Sequence, residues 1–244
     1  MALTDNIVSY WKLDGNSNDS AGSYNGTDTS ITYGTDYGKI GQGAKFDATT
    51  DKIAFSDWQL GTNNFSISFW FNPTSRTVNY YYIDVKKSTS PSVYWGIYTG
   101  AGATTKIRLN HYQSSDNYWD STGTFSTGTW YHLVYTRDGD TMKLYINGSY
   151  DSQKTGYSTR DFNGTNFQYL GGYSKSENFY LDEVGVWSRA LTTDEITALY
   201  NSGNGLTYPF TTTSIKSING LAKASVKSKN GLAVASIKSF NGLA

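Results

Sequence analysis

The sequence predicts an all-β protein, an antiparallel β-sandwich closed by one short helix and followed by a short-repeat, β-rich tail. Three observations carry this reading. Aromatic residues, which favour strands, are abundant (21 Tyr, 11 Phe, 7 Trp), while the helix former Glu occurs only at Glu177, Glu183 and Glu195. Twenty-five glycines and many Asn, Asp, Ser and Thr residues supply turns between short apolar runs. Helical periodicity is confined to one segment after Trp187.

Taken in order, residues 7–13 form a first strand, followed by a polar loop over 14–29. Residues 45–46 and 52–55 read as a short hairpin. FSISFWF at 65–71 alternates as a half-buried strand should. Strands then follow at 80–85, 93–98, 106–111 and 117–120, each bounded by turn residues. Residues 130–136 and 142–146 flank Arg137-Asp138-Gly139-Asp140, a hairpin signal of the Asp-Gly kind, and Asn147-Gly148 makes the next turn. Residues 167–170 and 180–187 complete about a dozen strands at near-regular spacing, which implies a sandwich or jelly roll. In YLDEVGVWSRALTTDEITALY at 180–200, a strand with an acidic pair runs into a helix. Thr192 and Glu195 have capping-box spacing, Ile196, Leu199 and Tyr200 share one side, and Gly203 is the expected stop.

Bulk properties exclude several function classes. Lys plus Arg equals Asp plus Glu, so nothing draws the chain electrostatically to nucleic acid or to an anionic membrane. There is no cysteine, hence no disulfide framework and no thiolate metal site. No apolar run is long enough for a membrane helix, and MALTDNIVSYW lacks the character of a secretion signal. Five Asn-x-Ser/Thr sequons, at Asn18, Asn25, Asn64, Asn147 and Asn163, are what a composition this rich in these residues produces.

After Pro209 the character changes. SIKSINGLAKA at 214–224, SVKSKNGLAVA at 225–235 and SIKSFNGLA at 236–244 repeat one 11-residue unit. Each pairs a β-branched residue (Ile215, Val226, Ile237) with an Asn-Gly turn and a Leu-Ala step. So short a unit cannot bury a core alone; it is expected to stack on its neighbours, on other copies or on a host assembly. The competing reading is a disordered low-complexity tail. The expected domains are 1–208 and an anchoring module over 209–244.

The pieces SYWKLDGNSNDSAGSYNG, GQGAKFD, FSISFWFNP, TWYHLVYTRDGDTMKLYINGSYD and YLDEVGVWSRALTTDEITALYNSG, in this order and spacing, resemble a laminin G-like, concanavalin A-like lectin domain of the jelly-roll type. The resemblance covers roughly residues 3–208. It implies an antiparallel sandwich that binds carbohydrate or protein and often holds calcium. Carried over by position, the calcium ligands fall on Asp19, Asn25 and Asp182, with a backbone carbonyl near Thr27. Carboxylates with amide and backbone oxygens suit that ion. Otherwise Asp19 organises a turn and Asp182 pairs with a donor such as Arg189.

Trp11, Trp70, Trp130 and Trp187 lie inside these motifs and are expected in the core. Trp58, Trp95, Trp119 and several tyrosines, among them Tyr81, Tyr82, Tyr94, Tyr112 and Tyr118, lie outside them. Sugars stack their C–H faces on aromatic rings while polar groups orient them. The predicted ligand contacts are Tyr82, Trp95, Tyr112 and Trp119, with Asp116, Asn117 or Arg108 nearby. Against this, half the aromatics of alternating strands must face the core.

Glycoside hydrolases also use this fold, but they need two carboxylates at a controlled separation. The pattern Glu-x-Asp-x-x-Glu cannot be written here. Asp182 and Glu183 are neighbours expected to point to opposite strand faces. His132 reads as a core residue, and His111 has no catalytic partner in view. The reading is a non-catalytic lectin-like protein whose jelly roll binds cell-surface glycans; the NGLA repeats are similar to those ending some phage structural proteins, which implies that residues 214–244 anchor it to other virion proteins. It would be a bacteriophage capsid or tail component, made in the host cytoplasm and oligomeric, a trimer being one form. Alternatives are a purely structural decoration protein, a bacterial surface adhesin and a cryptic glycosidase or depolymerase.

Overall fold

The computed structural model describes residues 1–75, 81–87, 93–99, 105–164, 167–172 and 178–210, together with 217–218, 221–222, 228–229 and 232–233. Tyr80, Glu177 and most of the repeats lie outside the described residues. The chain divides into two units, Met1–Phe210 and Thr211–Ala244. The first is built from β1 (Ile7–Trp11), β2 (Thr27–Thr29), β3 (Thr32–Gly34), β4 (Gly43–Phe46), β5 (Lys52–Ala54), β6 (Phe65–Pro73), β7 (Tyr81–Lys87), β8 (Val93–Thr99), β9 (Ile107–Gln113), β10 (Ser115–Asp120), β11 (Tyr131–Asp138), β12 (Thr141–Ile146), β13 (Ser149–Lys154), β14 (Phe167–Gly171), β15 (Phe179–Trp187) and the helix α1 (Thr193–Tyr200).

An eight-stranded sheet runs β13-β12-β11-β6-β15-β4-β3, with β1 also paired to β15; a seven-stranded sheet runs β10-β9-β8-β7-β14-β5-β2. The pairings are antiparallel, and the two sheets form the predicted sandwich. Phe69, Phe71, Leu133, Tyr135 and Leu181 from one sheet meet Ile83, Val85, Trp95, Ile97 and Leu109 from the other in one apolar cluster.

The helix start is as the sequence predicts: Glu195 N donates to Thr192 Oγ1, and the Glu195 carboxylate accepts from Thr192 N. Its stop is Asn201, in the left-handed region at φ 47°, ψ 51°, rather than Gly203. Asn tolerates that conformation, so the chain leaves the helix two residues early. Ile196 and Leu199 pack with Val134, Tyr145 and Trp187 on the outer face of the eight-stranded sheet. That cover explains a departure from expectation. β6 is not half-buried; every residue of it is buried. Outward Ser66 donates to Arg189 O and accepts from Leu191 N, and outward Trp70 lies between Lys39 and the stacked ring of Tyr200.

Residues 45–46 and 52–55 are not a hairpin. β4 pairs with β15 and β3, whereas β5 pairs with β14 and β2, so the intervening turn carries the chain between sheets. Asp51 fixes this turn by accepting from the amides of Asp47 and Ala48. The Asp-Gly turn closes β11 onto β12, and Asn147 (φ 51°) and Gly148 (φ 78°) close β12 onto β13, a strand the sequence reading missed. Trp130, expected in the core, is half-buried beside Tyr180. In the second unit, Ser217–Ile218 pairs with Leu221–Ala222, and Ser228–Lys229 pairs with Leu232–Ala233 in the same register.

Candidate functional site

The four residues aligned to a calcium site do not converge. Asp19 Oδ1 accepts from the amides of Tyr10, Ala21 and Gly22, and Oδ2 from Tyr24 N and Ser9 Oγ, at 2.8–3.0 Å. Burial pushes this carboxyl up, but the four amides outweigh it and hold the group below the usual carboxylate range. Asn25 Oδ1 accepts from Asp19 N, so these two do meet, as a turn network. Thr27 lies on the seven-stranded sheet opposite Ala54. Asp182 is fully buried and accepts from Lys39 N and Ile40 N, not from Arg189, which pairs with Glu195. Among the described residues no three His, Asp or Glu side chains are grouped to hold a metal. Both Asp19 oxygens and Asp182 Oδ2 are engaged by the chain's own amides and the Ser9 hydroxyl, while Asp182 Oδ1 is buried without a hydrogen-bond partner among the described residues.

The acidic pair of β15 breaks strand alternation. Glu183 has φ 52°, and the register with β6 shifts between Asp182 and Gly185. Both carboxyls are buried, Asp182 at 0% and Glu183 at 2% exposure. Burial raises Asp182 to about 9 and Glu183 to about 7, with their mutual repulsion adding to the rise of Asp182. The Tyr10 and Thr207 hydroxyls lie beside Glu183, yet neither is aligned for a hydrogen bond, and Tyr10 Oη donates to Leu206 O instead. A pair this enclosed cannot reach a polymeric substrate.

The histidines are structural, held neutral by burial, His111 at about 4 and His132 at about 3. His132 Nε2 bonds Ser68 Oγ at 2.8 Å, and His111 Nε2 donates to Asp161 O at 2.7 Å.

The outer face of the seven-stranded sheet is different in kind. Register places three cross-strand rows on it. One carries Lys86, Tyr94, Tyr112 and Asp116; the next Asp84, Gly96, Asn110 and Tyr118; the third Tyr81, Tyr98, Arg108 and Asp120. Tyr112 and Tyr118 are 39% and 48% exposed. Arg108 grips Asp120 through two nitrogens at 2.7 and 2.9 Å and lies 4.2 Å over the Tyr118 ring. Hydrogen bonding to Asp120 raises the guanidinium's pKa further, so it stays charged. Tyr118 is therefore an exposed ring held flat on a fixed cation.

Of the predicted ligand contacts, only Tyr112 stands on this face in the open. Tyr82 (2% exposed) and Trp95 (0%) are core, and Trp119 turns inward with Nε1 donating to Ser152 Oγ. In β7, β8 and β10 the outward aromatic is the preceding neighbour, Tyr81, Tyr94 or Tyr118. Tyr82, Trp95 and Trp119 lie on strands of this sheet but on its inner side, because a one-residue shift moves a side chain to the opposite face. The available signal was the inward run Ile107, Leu109, His111, which sets β10 through register. Asn117 is engaged with Thr155 O and Gly156 O.

Comparisons place this architecture. A family model described as the concanavalin A-like lectin/glucanases superfamily, of laminin G type, matches residues 47–197. Domain 4 of AbnA, a GH43 extracellular arabinanase from Geobacillus stearothermophilus solved with arabinotriose, superposes with TM-score 0.64 at 25% identity, covering 78% of this chain and 96% of that domain. The binding domain of Paraclostridial Mosquitocidal Protein 1 gives TM-score 0.68 at 18% identity over 82% of this chain and 53% of its own. The human adhesion G-protein coupled receptor D1 is 31% identical over 83 residues, which are 31% of this chain and 10% of the receptor. With the family model spanning more than half its length, the chain belongs to the concanavalin A-like lectin/glucanase superfamily.

Proposed function

We propose that the first unit binds carbohydrate on the outer face of its seven-stranded sheet and does no chemistry on it. The observation that carries this is the exposure of Tyr112 and Tyr118 on a face that also offers Arg108, Asn110 and three aspartates. Exposed rings supply the stacking surface and the polar groups fix orientation. The arabinanase domain, seen with arabinotriose and covered almost entirely by this chain, supports the reading. The absence of catalysis is supported by the enclosure of Asp182 and Glu183. The test is affinity electrophoresis through gels containing polysaccharide. Retardation of the wild-type chain, reduced at least fivefold in Tyr112→Ala and Tyr118→Ala with unchanged melting temperature, is expected; free migration in every polysaccharide would overturn it.

We further propose that the repeats fasten this unit to an assembly, a virion in our reading, through copies arranged side by side. The recurrence of one hairpin register at an 11-residue period supports repeated docking on a like surface. Light scattering on the full chain and on a chain ending at Phe210 checks this: oligomers from the first and monomers from the second are expected, and two identical masses would contradict it.

A further inference from the structure

One side chain on the tyrosine face is short of a partner. Asn110 stands on the outer side of β9, and its Oδ1 is buried without a hydrogen bond among the described residues. Of its cross-strand neighbours, Gly96 on β8 has no side chain and Tyr118 on β10 presents a ring. An unpaired buried acceptor is a standing cost to the fold, so an apolar residue would serve stability better here. Two residues away along β9, roughly 7 Å in either direction, Arg108 and Tyr112 stand on the same face. Asp120 takes two of the five guanidinium donors of Arg108, and the Tyr98 hydroxyl beside it takes at most one more. A lone acceptor, spare cationic donors and the two exposed rings of Tyr112 and Tyr118 thus share one small area.

Resting on the carbohydrate-binding reading, we propose that Asn110, Arg108, Tyr112 and Tyr118 form a subsite for the acetamido group of an N-acetylated sugar. The amide N–H of that group donates to Asn110 Oδ1. The terminal torsion of an asparagine is soft, so the oxygen turns toward an arriving donor at little cost. In a trans amide the carbonyl points the opposite way from the N–H, and here it accepts from Arg108. The methyl group lies on the same side as the N–H and settles against the rings of Tyr112 and Tyr118.

Hydrogen-bond bookkeeping sets the selectivity. An N–H donates and brings no lone pair, whereas a hydroxyl in its place brings two lone pairs that need donors of their own. A sugar with a hydroxyl at that position also lacks the methyl group and the carbonyl. It still stacks on the rings, but it leaves Arg108 without an acceptor and satisfies Asn110 less well. Discrimination between the two sugars therefore resides at Asn110, while general affinity resides in the rings.

The test presents the full chain with neutral polymers in pairs that differ only in carrying an acetamido group or a hydroxyl at C2. One pair is hydroxyethyl chitin and hydroxyethyl cellulose; the other is polyacrylamide bearing N-acetylgalactosamine or galactose. Biolayer interferometry is expected to show at least tenfold tighter binding of the acetamido member in one pair or both. Asn110→Leu, nearly the same size, should bring that member down to the level of its hydroxyl counterpart and leave the counterpart unchanged. It should also keep or raise the melting temperature, which loss of a structural asparagine would not do. Asn110→Ala repeats the measurement should the leucine variant not fold. Equal binding within both pairs, or a preference that survives in the folded Asn110 variants, overturns the subsite; with Tyr118→Ala still impaired, the face stands and the acetamido assignment alone falls. Failure to bind any of the four polymers also overturns the subsite, and joined to free migration in every polysaccharide gel it overturns the reading of the whole face.

Discussion

Tyr118 and Trp119 are sequence neighbours with opposite fates, one 48% exposed beneath a guanidinium and the other turned inward against Tyr135 and Tyr157. Aromatic character is legible in a sequence, but side is not, because strand parity depends on a register that only the paired strand fixes. Asp19 teaches the same lesson. Its position matched a calcium ligand, while four of its five donors are backbone amides, which a sequence does not display, and the fifth is the Ser9 hydroxyl. Asp19→Ala is expected to cost about 2–3 kcal/mol. That lowers the melting temperature by roughly 5–10 °C, equally in calcium and in chelator, as scanning calorimetry would read; a loss seen only in calcium would restore the ion. Glu183 makes a pH prediction. Its folded pKa, about 7, is above the ordinary value, so the folded state holds the extra proton and stability declines as pH rises from about 5 to 8. Glu183→Gln should flatten that decline in thermal melts, and an unchanged slope would show that other groups cause it.

Among the elements, those with local signals were the legible ones. The capping box of α1 and the turns at Gly139 and Asn147-Gly148 are written in adjacent residues and form as read. Thr192→Ala should therefore cost about 1 kcal/mol, seen as a melting temperature roughly 2–4 °C lower with sugar binding untouched. Elements defined by distant partners were not legible. The short β2 and β3 exist because β5 and β4 offer them an edge. β4 and β5 looked like a hairpin although they belong to different sheets, since nothing in residues 43–54 says which strand each will join. The bulge at Glu183 also escaped notice, for a glutamate at positive φ is imposed by surrounding packing rather than by preference.

At the scale of the molecule, the two sheets treat their outer faces differently. α1 and its flanking loops cover the middle of the eight-stranded sheet, so β6 is buried on both sides, while the edge strand β13 stays open and carries Tyr150 at 54% exposure. The seven-stranded sheet keeps a tyrosine-rich, polar outer side with two rings in the open. That asymmetry locates the proposed function, and a chain ending at Phe210, whose ring packs on Tyr10 and Trp187, is expected to melt as the first unit does in the full chain. The most direct measurement substitutes neighbouring aromatics in pairs and reads melting temperature and polysaccharide affinity together. Tyr118→Ala should lose affinity at least fivefold and keep its melting temperature, whereas Trp119→Ala should lower the melting temperature by several degrees. Wild-type affinity in Tyr118→Ala, where the neutral polymer still binds the intact chain, would contradict the assignment of this face.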